Sequence, residues 1–144
     1  MTTDNYVAAY IHFVWATKNF ENVLDKNVRY KLFEHLYHDA ILKEIKVKIV
    51  NGVENHVHCL VSLRTTQTIA DIAKQLKGES FHWFNENFLN HYQKLVWQNG
   101  YGAISVSPQN VDKVYNYIYR QEEHHKSQSF EEEWQIFEHF SDSE

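Results

Sequence analysis

A segment near the N-terminus, from Tyr6 to Thr17, constrains the fold most strongly. It consists almost entirely of β-branched, aromatic and small apolar residues and contains no Asp, Glu, Lys or Arg. Residues of these types favour extended backbone that is packed on its faces. The sequence therefore predicts a central, well-buried strand from Tyr6 to Thr17, around which the rest of the chain packs.

Hydrophobic spacing places the remaining elements along the chain. Val28, Leu32 and Leu36 recur at helical spacing, whereas apolar residues alternate with lysines from 45 to 50, as on a strand. The pair Asn51-Gly52 is a hairpin-turn signal, although the apolar pattern can also continue a residue or two past it. In order, the pattern predicts a helix over 25–42, strands over 45–50 and 57–63, a helix from 69, a strand over 103–107, a helix over 108–125 and an acidic helix over 129–140.

The order β-α-β-β-α-β, followed by helices, predicts the fold class. Both crossovers are right-handed when the first and third strands lie at the centre of one sheet. The expected fold is an α+β, ferredoxin-like sandwich, with a four-stranded antiparallel sheet and two helices on one face. One domain is expected over 1–144: a core of about 5–107, a tyrosine-bearing helix over about 108–126 and a short last helix over about 129–140. This fold hosts many functions.

The composition narrows the class of protein. Hydrophobic residues make up 43% of the 144 residues, which suffices for one packed core. No apolar run of about 18 residues predicts a membrane span, and the first residues lack the pattern of a signal peptide. Cys59 is the single cysteine, so the chain forms no internal disulfide. We expect a cytoplasmic, prokaryotic-type protein without membrane contact.

The net charge of −5 is unevenly distributed along the chain. Residues 122–144 contain eight acidic residues and one lysine, whereas residues 1–121 carry 13 basic residues against 11 acidic ones. The charge therefore neither excludes nor indicates a surface for nucleic acid.

Two histidines on the third predicted strand form a candidate metal site. His56 and His58 are two residues apart, so on extended backbone their side chains point to the same face. Two imidazoles at this spacing can bind one divalent metal ion. The alternative is that both are ordinary polar residues of a half-exposed strand, and further ligands elsewhere in the chain decide between the two.

The helix predicted over 108–125 carries residues that complete such a site. Tyr117 and Gln121 are four residues apart and share one helical face. A tyrosine hydroxyl can act as a nucleophile, and an amide oxygen is a neutral ligand that suits Mg²⁺ or Mn²⁺. A metal with open positions can bind a phosphate oxygen while the tyrosine attacks the phosphorus. Tyr115 and Tyr119 are alternatives, but neither precedes Gln121 by four residues.

Five stretches along the chain share a pattern with a known family. They are 10–18 (YIHFVWATK), 55–58 (NHVH), 72–78 (IAKQLKG), 97–103 (WQNGYGA) and 117–125 (YIYRQEEHH). They resemble the HUH-type single-tyrosine transposases of the insertion-sequence 200/605 superfamily, the IS200-like transposases. The resemblance implies an enzyme that cleaves and rejoins single-stranded DNA at transposon ends with a divalent metal (Mg²⁺ or Mn²⁺).

The same resemblance assigns roles to residues and partners. It implies that Tyr117 forms a 5′-phosphotyrosine intermediate and that His56, His58 and Gln121 hold the metal. It also implies recognition of DNA hairpins, and a homodimer in which the tyrosine helix can act in trans.

One position departs from the family pattern. Members often carry an aspartate directly before the first histidine, whereas this chain has Asn55. If a carboxylate there tunes metal affinity, metal binding is weaker in this protein, and Glu54 is the nearby acid that can substitute.

Further polar residues are candidates for DNA contact or for support of the site. Candidates for phosphate contact are Lys74, Lys77 and Ser80 on the second helix and Arg120 beside the tyrosine. An ordinary solvent-exposed or amphipathic helix surface is the alternative for this set. His125 can support the site from the face of Gln121 or lie at a solvated helix end.

His12 and an acidic run near the C-terminus have less specific expected roles. His12 can line the site from the first strand or be a buried structural histidine. The run Glu131–Glu133 is expected to be a solvated helix start.

Two other functions remain open from the sequence. One is a non-catalytic or domesticated ferredoxin-like nucleic-acid-binding protein, and the other is a replication-type HUH endonuclease. The small size of the chain and the lack of a helicase or other domain count against the second.

Overall fold

Four antiparallel strands form one sheet in the computed structural model, which describes residues 5–88, 93–125 and 129–141. The strands are β1 (Tyr10–Ala16), β2 (Lys46–Gly52), β3 (His56–Ser62) and β4 (Gly102–Val106). Their order in the sheet is β2-β3-β1-β4, so the first and third strands are central, as predicted. The α+β, ferredoxin-like fold class is confirmed.

Two long helices cover one face of this sheet. They are α1 (Lys26–Leu42) and α2 (Ile69–Phe88). Alternate residues of the central strands, such as Phe13 and Val57, pack with both helices in the main hydrophobic core. The prediction of two helices on one face is thus confirmed. None of the helices within the described ranges is long and apolar enough to cross a membrane.

Shorter helices cover the opposite face of the sheet. They are α3 (Val111–Tyr119), α4 (Gln121–His124) and α5 (Phe130–Phe140). Leu60 of β3 packs against Ile118 of α3, while Val14 of β1 packs against Phe130 and Phe137 of α5. Because side chains alternate along a strand, the polar residues on this face of β1 and β3 lie under α3 and α5.

The first strand is shorter than predicted. It begins at Tyr10, and the preceding Tyr6 is 93% exposed. The predicted strand was too long because it was based on apolar composition alone. It included residues before Tyr10, which lie outside the pairing of β1 with β3 and β4.

The hairpin between β2 and β3 lies later than the Asn51-Gly52 signal predicted. Both residues still belong to β2, where Asn51 pairs with His58 and Gly52 with Val57. Gly52 is required for close approach, since an added Cβ would lie 2.2 Å from the carbonyl oxygen of His56. Gly52 therefore lies where β2 and β3 approach each other closely, and it is not part of the turn itself.

The helix predicted over 108–125 is interrupted. A 3₁₀ turn (Pro108–Asn110) leads into α3, and the backbone leaves helical geometry at Arg120, with φ −97° and ψ 28°, before α4 begins. The Asn51 side chain explains this break, because its Nδ2 donates to the carbonyl oxygens of Ile118 at 3.0 Å and Tyr119 at 3.1 Å. A strand residue thus satisfies acceptors at the end of α3.

The last helix follows the capping pattern of the sequence. Ser129 Oγ accepts a hydrogen bond from the backbone N–H of Glu132 at 3.3 Å, as at a helix N-terminus. The helix buries Phe130, Glu133 and Phe137, which lie three and four residues apart and so share one face.

Candidate active site

His56 and His58 are fixed on a central strand beneath α5. Neither side chain is exposed, and their ring centroids are 5.1 Å apart. Strand β3 is paired on both sides, with Ala16 and Val14 of β1 opposite the two histidines. The two-residue spacing therefore places both imidazoles on one face, and the sheet holds them rigidly.

Each histidine has a partner for its Nδ1 atom. His56 Nδ1 lies 2.8 Å from Asn55 Oδ1, and His58 Nδ1 lies 2.7 Å from Nε2 of His12. Because an amide oxygen can only accept, His56 donates from Nδ1 and its Nε2 carries the lone pair. These contacts leave Nε2 of each imidazole available to a ligand.

Burial keeps two of these imidazoles in their neutral form at neutral pH. Burial lowers the pKa of His56 to about 4, against a smaller opposing effect of Glu133. The pKa of His12 is lowered well below its ordinary value by burial and then by His58. A neutral imidazole is the form that binds a metal ion.

A carboxylate from α5 lies against the histidines, although no sequence pattern predicts this contact. Glu133 is 1% exposed, and its Oε1 touches His58 Nε2 and lies 3.5 Å from His56 Nε2. Its Oε2 lies 2.9 Å from Nε2 of His125. Burial would raise the pKa of Glu133, but its contacts with His125, His56 and His58 outweigh burial and hold that pKa well below its usual range.

Glu133 was expected at a solvated helix start within the run Glu131–Glu133, and that expectation is wrong for this one residue. Glu131 and Glu132 are exposed, whereas Glu133 points inward. The helical spacing could have indicated this burial, because Glu133 follows Phe130 by three residues and precedes Phe137 by four, and so lies on the apolar face of the helix. An acid within an apolar stripe is a candidate for a buried functional group.

Tyr117 approaches the same cluster from α3. Its ring is half-buried, with its centroid 6.1 Å from that of His58. Burial, then the negative charge of Glu133 and a hydrogen bond to it, raise the pKa of Tyr117. Tyr115 and Tyr119 are 38% and 68% exposed. Among these three tyrosines, Tyr117 is the most closely associated with the histidines.

Gln121, the first residue of α4, also belongs to this cluster. Its side chain is fully buried and close enough to the Tyr117 hydroxyl to oppose, by hydrogen bonding, the rise in the Tyr117 pKa. Neither amide atom has a partner with full hydrogen-bond geometry among the described residues. The two residues were expected on one continuous helical face, and the break at Arg120 now lies between them.

The ligand atoms present fit a divalent metal ion. His56 Nε2, His58 Nε2 and Glu133 Oε1 are buried and lack a hydrogen-bond partner within the described part of the chain. Ligand atoms of His56, His125 and Glu133 all lie within 4.8 Å of one another. Imidazole nitrogens with a carboxylate and an amide oxygen form a donor set that accepts several divalent metals.

The predicted supporting acid lies apart from the histidines. The Glu54 side chain is 51% exposed, and its carboxylate lies 3.8 Å from Arg29. Asn55, by contrast, contacts His56 directly. Asn55 therefore contacts the candidate site directly, whereas the described contact of the Glu54 carboxylate is with Arg29.

The predicted DNA-contacting residues have different environments. Lys74 and Arg120 are exposed. Lys77 donates to the carbonyl oxygens of Gln98 and Gly100, at 3.0 Å and 2.8 Å, and burial lowers its pKa.

Ser80 does not suit the predicted contact with DNA. It is fully buried, donates to Leu76 O at 2.8 Å and lies 3.0 Å from Nε1 of Trp97. Moreover, α2 covers the sheet face opposite to the histidines, so contacts from Lys74 or Lys77 would be remote from the candidate site.

Comparison with known proteins identifies the family. Residues 5–121 match the sequence profile described as "Transposase IS200 like", which covers most of the chain. The chain belongs to the IS200-like transposase family. Family membership makes it a DNA-cleaving enzyme of transposition and DNA recombination, of the type that mobile elements carry.

Individual relatives support this assignment. The IS200-like chain is 28% identical to the ISDra2 transposase TnpA of Deinococcus radiodurans over 111 residues, which cover 74% of this chain and 79% of that protein. It is similar to the crystal structure of a putative transposase from the same organism. That similarity has a TM-score of 0.65 and 25% identity, and it covers 84% of this chain and 97% of the other.

A third similarity concerns the fold alone. The structure of a REP-associated tyrosine transposase bound to a REP hairpin matches the IS200-like chain with a TM-score of 0.59 and 14% identity, over 83% of this chain and 70% of that one. The family match ends at residue 121, so α5, which carries Glu133, lies beyond it.

Proposed function

We propose that this transposase cleaves and rejoins single-stranded DNA through a covalent link to Tyr117. The observation that carries the proposal is the position of the Tyr117 ring, 6.1 Å from the His58 ring in a buried cluster of histidines. Within the described residues, this cluster combines a candidate nucleophile with candidate metal ligands. A family that cleaves DNA supports the assignment.

The proposed step exchanges one phosphodiester for another. The Tyr117 oxygen attacks a backbone phosphorus and forms a new P–O bond, the bond to the 3′ oxygen breaks, and that oxygen leaves as a 3′-hydroxyl after taking a proton. The product is a 5′-phosphotyrosine, which conserves the phosphodiester energy for rejoining. Because burial raises the pKa of Tyr117, its hydroxyl is protonated at neutral pH and must lose the proton during attack.

We propose His56, His58 and Gln121 as ligands of a divalent metal, Mg²⁺ or Mn²⁺. When bound, such an ion supplies a positive charge that stabilises charge developing on the phosphate. The rigid strand orients both histidines, and Asn55 and His12 hold their Nδ1 atoms. The buried amide of Gln121, without full hydrogen-bond geometry to a described residue, supports its place in this set.

We propose a hairpin in single-stranded DNA as the substrate. The fold similarity to a tyrosine transposase bound to a REP hairpin supports this choice. We further propose that Arg120, exposed at the break between α3 and α4, contacts the DNA backbone near Tyr117. The homodimer, with the tyrosine helix acting in trans, remains a prediction from the family resemblance.

The decisive experiment replaces Tyr117 by phenylalanine. Labelled single-stranded oligonucleotides from the DNA flanking the coding sequence are incubated with Mn²⁺, and a protein–DNA adduct is sought on a denaturing gel. We expect Tyr117→Phe to abolish the adduct while hairpin binding stays within about two-fold, because the hydroxyl is lost and the fold is kept.

The matched control is Tyr119→Phe, which removes a hydroxyl from a residue 68% exposed on the same helix. It should form the adduct as the wild type does. An adduct that persists in Tyr117→Phe would disprove the assignment of the nucleophile.

One observation favours the non-catalytic alternative, a ferredoxin-like protein that binds nucleic acid. Helix α5 covers the histidines so fully that neither has exposed surface. If the wild-type protein binds hairpins but forms no adduct with Mn²⁺ or Mg²⁺, this alternative replaces the proposed reaction.

A further inference from the structure

Glu133 lies inside the candidate site although the family match ends before its helix. The match covers residues 5–121, whereas Glu133 is on α5. Its carboxylate is nevertheless 1% exposed and in contact with both histidines of β3. A buried carboxylate requires partners that compensate for its lost hydration.

The orientation of the rings indicates what such a partner must be. Since the Asn55 oxygen can only accept, His56 donates from Nδ1 and directs the lone pair of Nε2 towards Oε1 of Glu133, 3.5 Å away. A lone pair and an anionic oxygen repel each other when they are buried face to face. A cation between them removes the repulsion and satisfies both atoms.

The distance between His56 and Glu133 suits a shared ion. Two ligand atoms about 2.1 Å from one ion, in tetrahedral or octahedral arrangement, are roughly 3.0–3.4 Å apart. The separation of 3.5 Å between His56 Nε2 and Glu133 Oε1 is close to this range. His58 Nε2 contacts the same oxygen more closely than two ligands of one ion would, so Oε1 has to move away from His58 when an ion binds to all three residues.

The second oxygen of the carboxylate is held separately. Glu133 Oε2 lies 2.9 Å from Nε2 of His125, just after α4. This contact fixes the rotation of the carboxylate and leaves Oε1 directed at the two histidines, as outer-shell partners of metal ligands commonly do.

We propose that Glu133 is a ligand of the divalent metal ion that His56 and His58 bind. The inference rests on the proposed function, because it adds a charged ligand to that same metal site. The ion then has ligands from the sheet and from α5, and α5 becomes part of the active site.

The first test measures Mn²⁺ affinity of the full chain by isothermal titration calorimetry. We expect Glu133→Gln to weaken binding by at least about 10-fold, since the amide keeps the shape of the side chain but loses the charge. Glu132→Gln, an exposed neighbour on the same helix, should bind as the wild type does. Unchanged or tighter binding by Glu133→Gln overturns the inference.

A second measurement needs no variant and so avoids any folding defect. Amide hydrogen exchange of the wild-type protein is compared with and without Mn²⁺. If Glu133 binds the ion, exchange in α5 slows together with exchange in β3. If the ion displaces the carboxylate, α5 loses contacts and its exchange accelerates, which overturns the inference.

A third variant distinguishes this inference from the proposed function. His56→Ala should abolish Mn²⁺ binding if the histidines form the metal site. Loss of binding in His56→Ala with full binding in Glu133→Gln leaves the proposed metal site intact and removes Glu133 from it. A wild-type protein that binds no Mn²⁺ overturns both, whereas the Tyr117 adduct is tested independently.

Discussion

Asn55 determines which ring nitrogen of His56 is available to a ligand. Its Oδ1 lies 2.8 Å from His56 Nδ1, so the amide fixes the ring and the tautomer. An aspartate at this position would offer the same ring nitrogen a charged acceptor, which forms the stronger hydrogen bond.

Substitution of Asn55 should alter metal affinity. We expect Asn55→Ala to weaken Mn²⁺ binding by about 10-fold, because His56 loses the partner that orients it. Asn55→Asp should bind as tightly as the wild type or more tightly, because a carboxylate is the stronger acceptor. Calorimetric titration with Mn²⁺ measures both.

Glu54→Ala is the control for these variants. The Glu54 side chain is 51% exposed and its carboxylate lies 3.8 Å from Arg29, so its loss should leave Mn²⁺ affinity unchanged. Equal affinities for wild type and Asn55→Ala would contradict the orienting role of Asn55.

At the scale of elements, the end of α3 is set by a strand. Asn51 of β2 donates to two carbonyl oxygens at the end of α3, and the chain then turns at Arg120 into α4. Tyr117 lies before this break and Gln121 after it. The relative position of the proposed nucleophile and the proposed amide ligand therefore depends on a side chain from the sheet.

Removing that side chain should affect both stability and reaction. We expect Asn51→Ala to lower the free energy of unfolding by about 1–2 kcal/mol, from two lost hydrogen bonds at a half-buried site. Adduct formation should also slow, because the end of α3 is no longer fixed and the Tyr117 side chain is no longer kept close to Gln121. Denaturant unfolding and the adduct gel measure the two effects.

Asn116→Ala removes an exposed asparagine from the same helix and serves as the control. It should leave adduct formation unchanged. A slower reaction in Asn116→Ala, or a normal rate in Asn51→Ala, would show that the break does not position Tyr117.

The elements that depend on local pattern were predictable from sequence. Alternation and helical spacing located the strands and α1, and the order of elements led to the correct sheet, because these signals arise from burial of one face. The break at Arg120 was not predictable, since it results from a hydrogen bond with Asn51, which is 67 residues from Ile118 in the chain.

The candidate site was predictable only in part. The spacings of His56 with His58 and of Tyr117 with Gln121 indicated a shared face in each pair. Nothing local showed that Glu133 would meet the histidines, because that contact depends on how α5 docks on the sheet. Similarly, the burial of Ser80 depends on Trp97, which is distant in sequence.

At the scale of the whole molecule, α5 closes one face of the sheet. Phe130 stacks on His56 with centroids 4.0 Å apart, and Phe137 lies 5.1 Å from the His12 ring. The close fit continues at β4, where a Cβ on Gly102 would lie 2.9 Å from Phe137 Cδ1 and 2.8 Å from Val14 Cγ1. The docking of α5 thus requires glycine at that position.

Adding a methyl group at Gly102 should therefore weaken the packing of α5 on the sheet. We expect Gly102→Ala to lower the melting temperature and to accelerate amide exchange in α5 and β3, because the added atom overlaps both neighbours. Hydrogen-exchange mass spectrometry measures the effect on each segment.

Gly78→Ala adds the same group on α2, where no atom of the described residues lies within 4 Å of the new Cβ apart from its chain neighbours and the adjacent helix backbone. It should leave exchange in α5 unchanged and stabilise the helix by about 0.5–1 kcal/mol. Unaltered exchange of α5 in Gly102→Ala would show that the helix accommodates the methyl group without moving.

The closed position of α5 has a consequence for the apparent affinity of the protein for its substrate. Neither histidine has exposed surface while α5 holds this position, so a phosphate reaches them only in molecules in which α5 has shifted. The observed dissociation constant is then the intrinsic one divided by the fraction of open molecules. If about 1% of molecules are open, binding at the site is weakened about 100-fold, and a DNA hairpin held elsewhere on the protein would offset that loss through proximity.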